Sequence, residues 1–159
     1  MHSEDKPKAN RLQVLGWREW VQLPDLVDVP IKAKVDTGAK TSSLHAFFIE
    51  PYSKNGSPWV KFLLHPNQKD NDLEVECHAA VADRREVSDS GGHKEERYVI
   101  ESTIVLGREI LIAELTLTDR DSMSFRMLIG RNLLRGAYTV DCSASFLMGG
   151  TSKKFEQLI

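Results

Sequence analysis

A chain of 159 residues has the usual length of one domain and can bury a core, and 41% apolar with 28% charged residues is ordinary for a globular protein. A net charge of −2 gives no basic footprint for nucleic acid, no apolar run approaches the ~20 residues of a membrane-crossing helix, and stretch 1–11 lacks a signal-peptide core. The expectation is a cytoplasmic protein that binds neither nucleic acid nor membrane, with a polar N-terminal extension (1–11), one domain (12–150) and a C-terminal tail (151–159).

Short apolar or alternating runs at 12–23, 29–35, 44–49, 59–64 and 73–82, separated by Pro, Gly, Asn and Asp, predict strands. Trp17 and Trp20 lie three apart in the first, on opposite faces, and read as core or dimer packing. The second run ends in Val35-Asp36-Thr37-Gly38-Ala39, a carboxylate at the close of a β-branched segment followed by a hydroxyl residue and a turn-forming glycine. Such a turn holds Asp36 at the lip of a buried bend, although Asp and Gly also occur together in ordinary surface turns. In aspartic proteases two such carboxylates share one proton, because like charges that close cannot both ionise. Only one Asp-Thr-Gly occurs here, so the pair requires a homodimer, with Thr37 of each chain meeting across the two-fold axis. Ser42, Ser43 and His45 read as turn or structural residues.

The polar segment from Asp83 to Arg97, with five acidic and four basic residues around Gly91-Gly92, reads either as a solvated loop or as a flap over a substrate groove. Runs 98–106 and 109–118 flank Gly107-Arg108 and predict a hairpin, and 124–129 leads into a short helix at 131–136. Strands at this spacing without intervening helices predict an all-β domain, closed or sandwiched. Cys77 and Cys142 are too few for a disulfide framework and read as free thiols. Neither they nor His45, His65, His78 and His93 fall in a zinc spacing, and no phosphate-binding glycine loop is present, so no metal or cofactor is expected.

The stretch Met127-Leu128-Ile129-Gly130-Arg131-Asn132-Leu133-Leu134 resembles the second motif of retropepsins, an apolar strand ending in Gly-Arg-Asn/Asp that leads into a short helix beneath the catalytic turn. Leu15-Gly16-Trp17-Arg18-Glu19-Trp20-Val21 and the eleven residues Asp36 to Ala46 are similar to the bacterial RimB family, historically labelled ATP-dependent zinc proteases. The resemblance spans roughly 12–148. It implies a retropepsin-like closed β-barrel with one short helix, catalysis by Asp36 in a turn shaped by Thr37 and Gly38, and support from Gly130 and Arg131. It also implies peptide or protein substrates such as a polyglutamylated ribosomal protein.

One departure from the viral retropepsins carries chemistry. Where those have an acidic residue that pairs with the Arg of the second motif, this chain has Lys40, which cannot pair with Arg131. Two cations beside a groove favour an anion between them, which makes Lys40 and Arg131 candidate substrate-binding residues for acidic side chains. The alternative is that a carboxylate such as Asp141 neutralises Arg131 while Lys40 points to solvent. Two readings from other classes stand beside the peptidase: a peptide-binding module that keeps the fold but cleaves nothing, and a metal-dependent hydrolase.

Overall fold

The computed structural model describes residues 12–67, 72–88, 91–119 and 124–149. The extension 1–11 and the tail 151–159 of the sequence reading lie outside the described residues.

The regular structure of the described residues is almost entirely β. β1 (Gln13–Leu15), β2 (Arg18–Val21), β3 (Ile31–Val35), β4 (Ser42–His45), β5 (Phe47–Lys54), β6 (Ser57–Leu64), β7 (Val75–Ala80), β8 (Asp83–Ser88), β9 (Lys94–Leu106), β10 (Glu109–Thr118) and β11 (Met127–Ile129) precede the helix α1 (Arg131–Leu134) and β12 (Tyr138–Val140). Alternation decides which face each strand buries. In β3, Ile31 and Ala33 are fully buried while Lys32 and Lys34 face the other way. The same rule seats Met127 and Ile129 of β11, Leu44 of β4, Leu115 and Leu117 of β10, and Ile100 and Ile104 of β9 in one core.

The main sheet has seven strands in the order β2-β3-β11-β4-β10-β9-β8. β11 lies inside it, parallel to β3 and antiparallel to β4, so the two motif-bearing segments are neighbours. A three-stranded sheet, β5-β6-β7, adds Val60, Phe62, Leu64 and Cys77 to the core, and β1 pairs in parallel with β12.

The all-β class and the short helix match the expectation, but no ladder closes the main sheet into a barrel among the described residues. β2 and β9 meet only at a bridge, where Gln22 N donates to Val105 O at 3.0 Å and Val105 N to Gln22 O at 2.9 Å. Pro24 follows, without an N–H to extend the ladder, and Leu26 and Val27 turn back to donate to Leu23 O. No described helix is long and apolar enough to cross a membrane.

Gly16-Trp17 splits the first predicted run into β1 and β2. Glu19 of β2 is fully buried yet satisfied, its carboxylate accepting from Gly16 N at 2.6 Å, Leu147 N at 2.8 Å and Met148 N at 3.1 Å. This acceptor ties segment 144–149 against β2. There Trp20 stacks on Phe146, and the guanidinium of Arg18 lies over Trp17 and Phe146.

Candidate active site

The Asp36 turn is built where β3 runs out beside β11. Asp36 N donates to Ile129 O at 2.8 Å, which extends the parallel pairing by one residue and fixes where the turn begins. Ala39 N then closes on Asp36 O at 3.1 Å, and Gly38 N donates to Asp36 Oδ1 at 3.1 Å, orienting the carboxylate from its own backbone. Asp36 itself is half-buried.

The second motif straps the turn from below. Arg131 N donates to Ala39 O at 2.9 Å, Asn132 N to Lys40 O at 3.0 Å, and the buried Gly130 N to Ser42 Oγ at 2.9 Å. Only glycine fits at position 130, since a Cβ there would lie 2.6 Å from the carbonyl carbon of Thr41. Arg131 Nη1 reaches Thr37 O at 3.4 Å and Gly38 O at 3.2 Å. Ser42, a turn residue in the sequence reading, is thus a buried link between the two motifs.

Asp36 opens onto a cleft of 990 Å³ that the turn shares with β8, β9 and β10. Gly38, Lys40 and Arg131 line it too, so most of the sequence-derived site residues face one space. Thr37 stands exposed beside it, its hydroxyl without a partner among the described residues.

In the polar segment, β8 pairs with β9 in antiparallel register, and Arg85, Val87 and Arg97 face the cleft. Arg85 grips Glu114 of β10 through two bonds, 2.9 and 2.7 Å, and Asp83 through Nε at 2.7 Å. Those bonds hold the Glu114 and Asp83 carboxyls below their usual range and keep Arg85 charged.

The partner question for the two cations has a geometric answer. Lys40 lies near enough to Glu114 to help lower its pKa, after the larger effect of Arg85. Arg131 bonds backbone carbonyls and meets no carboxylate among the described residues. Asp141 is taken by Ser143, which donates from N at 3.0 Å and from Oγ at 2.6 Å, so it is not the neutralising partner considered above.

Sequence reasoning missed Arg85, Arg97, Glu114 and Thr116. Their signal was alternation: Glu114, Thr116 and Thr118 are polar at every second place of β10, on the face opposite Leu115 and Leu117. Among the described residues no cluster of His, Cys, Asp and Glu is arranged to hold a metal. Cys77 is buried, with Sγ donating to Leu26 O at 3.5 Å, whereas Cys142 is exposed. His78 bonds Tyr52 Oη and Glu76, and His65 bonds Glu74, both away from the cleft.

An aspartate-bearing strand and a glycine-arginine strand that meet under one cleft are the arrangement implied by the resemblance to retropepsin-like proteins. The profile of one such family, RimB-like, described as retropepsin-like aspartic endopeptidase RimB, matches residues 14–150, and the chain belongs to that family. It is 47% identical over 136 residues to a probable alpha-L-glutamate ligase of Shewanella pealeana, which covers 86% of this chain and 30% of that protein. Likenamed proteins of Desulfotalea psychrophila (39% over 142 residues, covering 89% of this chain and 31% of that one) and Parasynechococcus marenigrum (43% over 136, covering 86% and 29%) are also similar. The chain therefore spans about 30% of the length of these curated relatives. A Legionella pneumophila protein of unknown function has a similar crystal structure, with TM-score 0.71 and 25% identity over 86% of this chain and 98% of that one.

Proposed function

We propose that the protein is an aspartic endopeptidase whose dyad is two copies of Asp36 brought together in a homodimer, and that it cleaves acidic or glutamate-rich protein tails in the cytoplasm. The observation that carries this reading is the half-buried Asp36 carboxylate, held by Gly38 N at the edge of a cleft that Lys40 and Arg131 also line. Membership of the family supports the chemistry. The exposed Thr37 and the single Asp-Thr-Gly support the dimer. We read the Gln22–Val105 bridge as the seam of a retropepsin-like barrel.

In this mechanism the paired carboxylates share one proton. The ionised one takes a proton from a water held between them, the water oxygen bonds to the scissile carbonyl carbon, and the protonated one supplies the proton that the departing nitrogen needs. No covalent intermediate forms. Gly38 N fixes the Asp36 rotamer, and α1 holds the turn through Arg131 N and Asn132 N.

Substrate choice follows from charge. Lys40 and Arg131 place positive charge beside the dyad, with Glu114 near Lys40, which favours acidic residues near the cleaved bond. Relatives named as glutamate ligases contain a segment similar to this chain, which supports a substrate or partner connected with glutamate addition, such as a polyglutamylated ribosomal protein.

Mass-spectrometric detection of cleavage in peptides with and without glutamate-rich tails, in the presence of chelator, tests the reading. Wild type should cleave and Asp36→Asn should not. A protein that binds the tails without cleaving them would be the peptide-binding module instead, and activity lost to chelator and restored by zinc would mark the metal-dependent hydrolase.

A further inference from the structure

Arg97 is a nearly buried arginine with one carboxylate partner among the described residues. It stands in β9 on the cleft face, only 8% exposed, at a place where a valine or threonine would complete the sheet as Val99 and Thr116 do beside it. In the β8–β9 register it lies directly opposite Arg85, and like charges in that arrangement destabilise a sheet unless anions separate them. Arg85 has its anions in Glu114 and Asp83. Arg97 has much less: Nε donates to Glu95 Oε2 at 3.2 Å, and Nη1 reaches the Thr116 hydroxyl at 3.5 Å. Nη2 has no partner among the described residues, and it is not among the side-chain atoms sealed from water.

The wall around it is equally polar. Ser43 and Thr116 share a hydroxyl hydrogen bond at 3.1 Å, and Thr118 reaches Glu95 at 3.4 Å. Val87 and Leu128 also line the cleft, but the β10 side of the wall offers hydroxyl donors around a guanidinium held from one side.

We propose that Arg97 is a specificity residue of the cleft, whose free edge seats a substrate carboxylate. The inference rests on the peptidase reading and deepens it. β9 lies four strands along the sheet from β3, which puts Arg97 and Asp36 roughly 19 Å apart across the sheet at about 4.8 Å per strand. A peptide lying across the cleft spans that distance in about six residues at ~3.3 Å each. Lys40 and Arg131 beside the dyad, with Arg97 farther along, therefore read a run of acidic residues rather than one.

The test is binding, measured by fluorescence anisotropy on Asp36→Asn protein so that cleavage does not intervene. The probes are a labelled peptide ending in a run of glutamates and its glutamine counterpart. The glutamate peptide should bind more tightly, and Arg97→Met should cut that preference about tenfold, the worth of one charge-assisted hydrogen bond. Arg97→Lys should keep part of it, having the charge but not the fork. Glu95→Gln should strengthen glutamate-peptide binding by removing the competing carboxylate, an effect opposite to that of breaking a purely structural pair. Thermal melts identify any variant that fails to fold. A preference unchanged in Arg97→Met, or binding weakened in Glu95→Gln, overturns the inference and leaves Asp36-dependent cleavage untouched. No preference in the parent protein overturns it too, and wild-type cleavage of the glutamine peptide then shows that the peptidase reading survives.

Discussion

At the residue scale, the two motifs depend on atoms that admit no substitute. Gly130 packs against the backbone of Thr41, with less than 3 Å for a Cβ, so the backbone itself must move to accept a side chain. Gly130→Ala should cost at least about 2 kcal/mol in denaturant unfolding and greatly reduce turnover. Gly92 serves as the control: it needs a left-handed backbone, φ +82°, but has open space around it. Gly92→Ala should cost about 1 kcal/mol.

Cys77 gives a pH test of the core. Burial pushes its thiol up to about 12 from 9.0, with the Glu76 charge adding to the effect. Between those values the unfolded chain has lost the proton that the folded chain keeps, so this group's stabilisation is complete below pH 9.0 and is lost as pH rises through about 12. At pH 8 a thiol-alkylating reagent should label the exposed Cys142 rapidly and Cys77 only after unfolding. Equal labelling rates in the native protein would contradict the buried assignment.

At the scale of elements, the β8–β9 hairpin is the part whose role the structure changes most. Its charges reach the cleft because the register places Arg85 opposite Arg97 and lets Arg85 span to Glu114 on β10. The Arg85–Glu114 pair is about one-third exposed on each side, so Arg85→Met should lower stability by less than about 1 kcal/mol. Its effect on catalysis should be larger. Loss of the grip frees the hairpin over the cleft, and kcat/KM should fall about tenfold or more with the Tm nearly unchanged. A proportional fall in Tm and activity would make the pair structural only.

Much of this architecture could be read from the chain. β10 occupies the predicted 109–118 because an apolar run that passes into alternation follows the Gly107-Arg108 turn signal. The Asp36 turn and the Gly130–Leu134 segment are local motifs, legible because their chemistry lies in consecutive residues. The rest depended on register. The hairpin read as either a solvated loop or a flap because its charged residues alternate across a strand pair whose cleft face cannot be seen without its partner. Glu114 could not be matched to Lys40 or Arg85, since the contacts join residues far apart in sequence. β12 has only three residues and pairs with β1 at the other end of the chain, too short to produce a period. The closed barrel was expected from the family resemblance, whereas strand spacing left closed and sandwiched sheets open; after β2, Pro24 has no N–H to carry the ladder on.

At the scale of the whole molecule, one chain supplies one Asp-Thr-Gly carboxylate, so the proposed chemistry belongs to the assembly rather than to the subunit. Lys40→Glu should lower cleavage of glutamate-rich peptides more than that of neutral ones, and do so equally in both halves of a symmetric dimer; equal losses would remove Lys40 from substrate reading. Turnover per subunit should also fall on dilution below the dimer dissociation constant. The most direct test is to mix wild type with an equal amount of Asp36→Asn, allow subunits to exchange, and measure cleavage of a glutamate-tailed peptide. Random pairing places half of the wild-type subunits in mixed dimers, so a shared dyad predicts that activity per wild-type subunit drops to about half. Activity unchanged by the inactive partner, after exchange has been verified, would contradict a dyad built from two copies of Asp36.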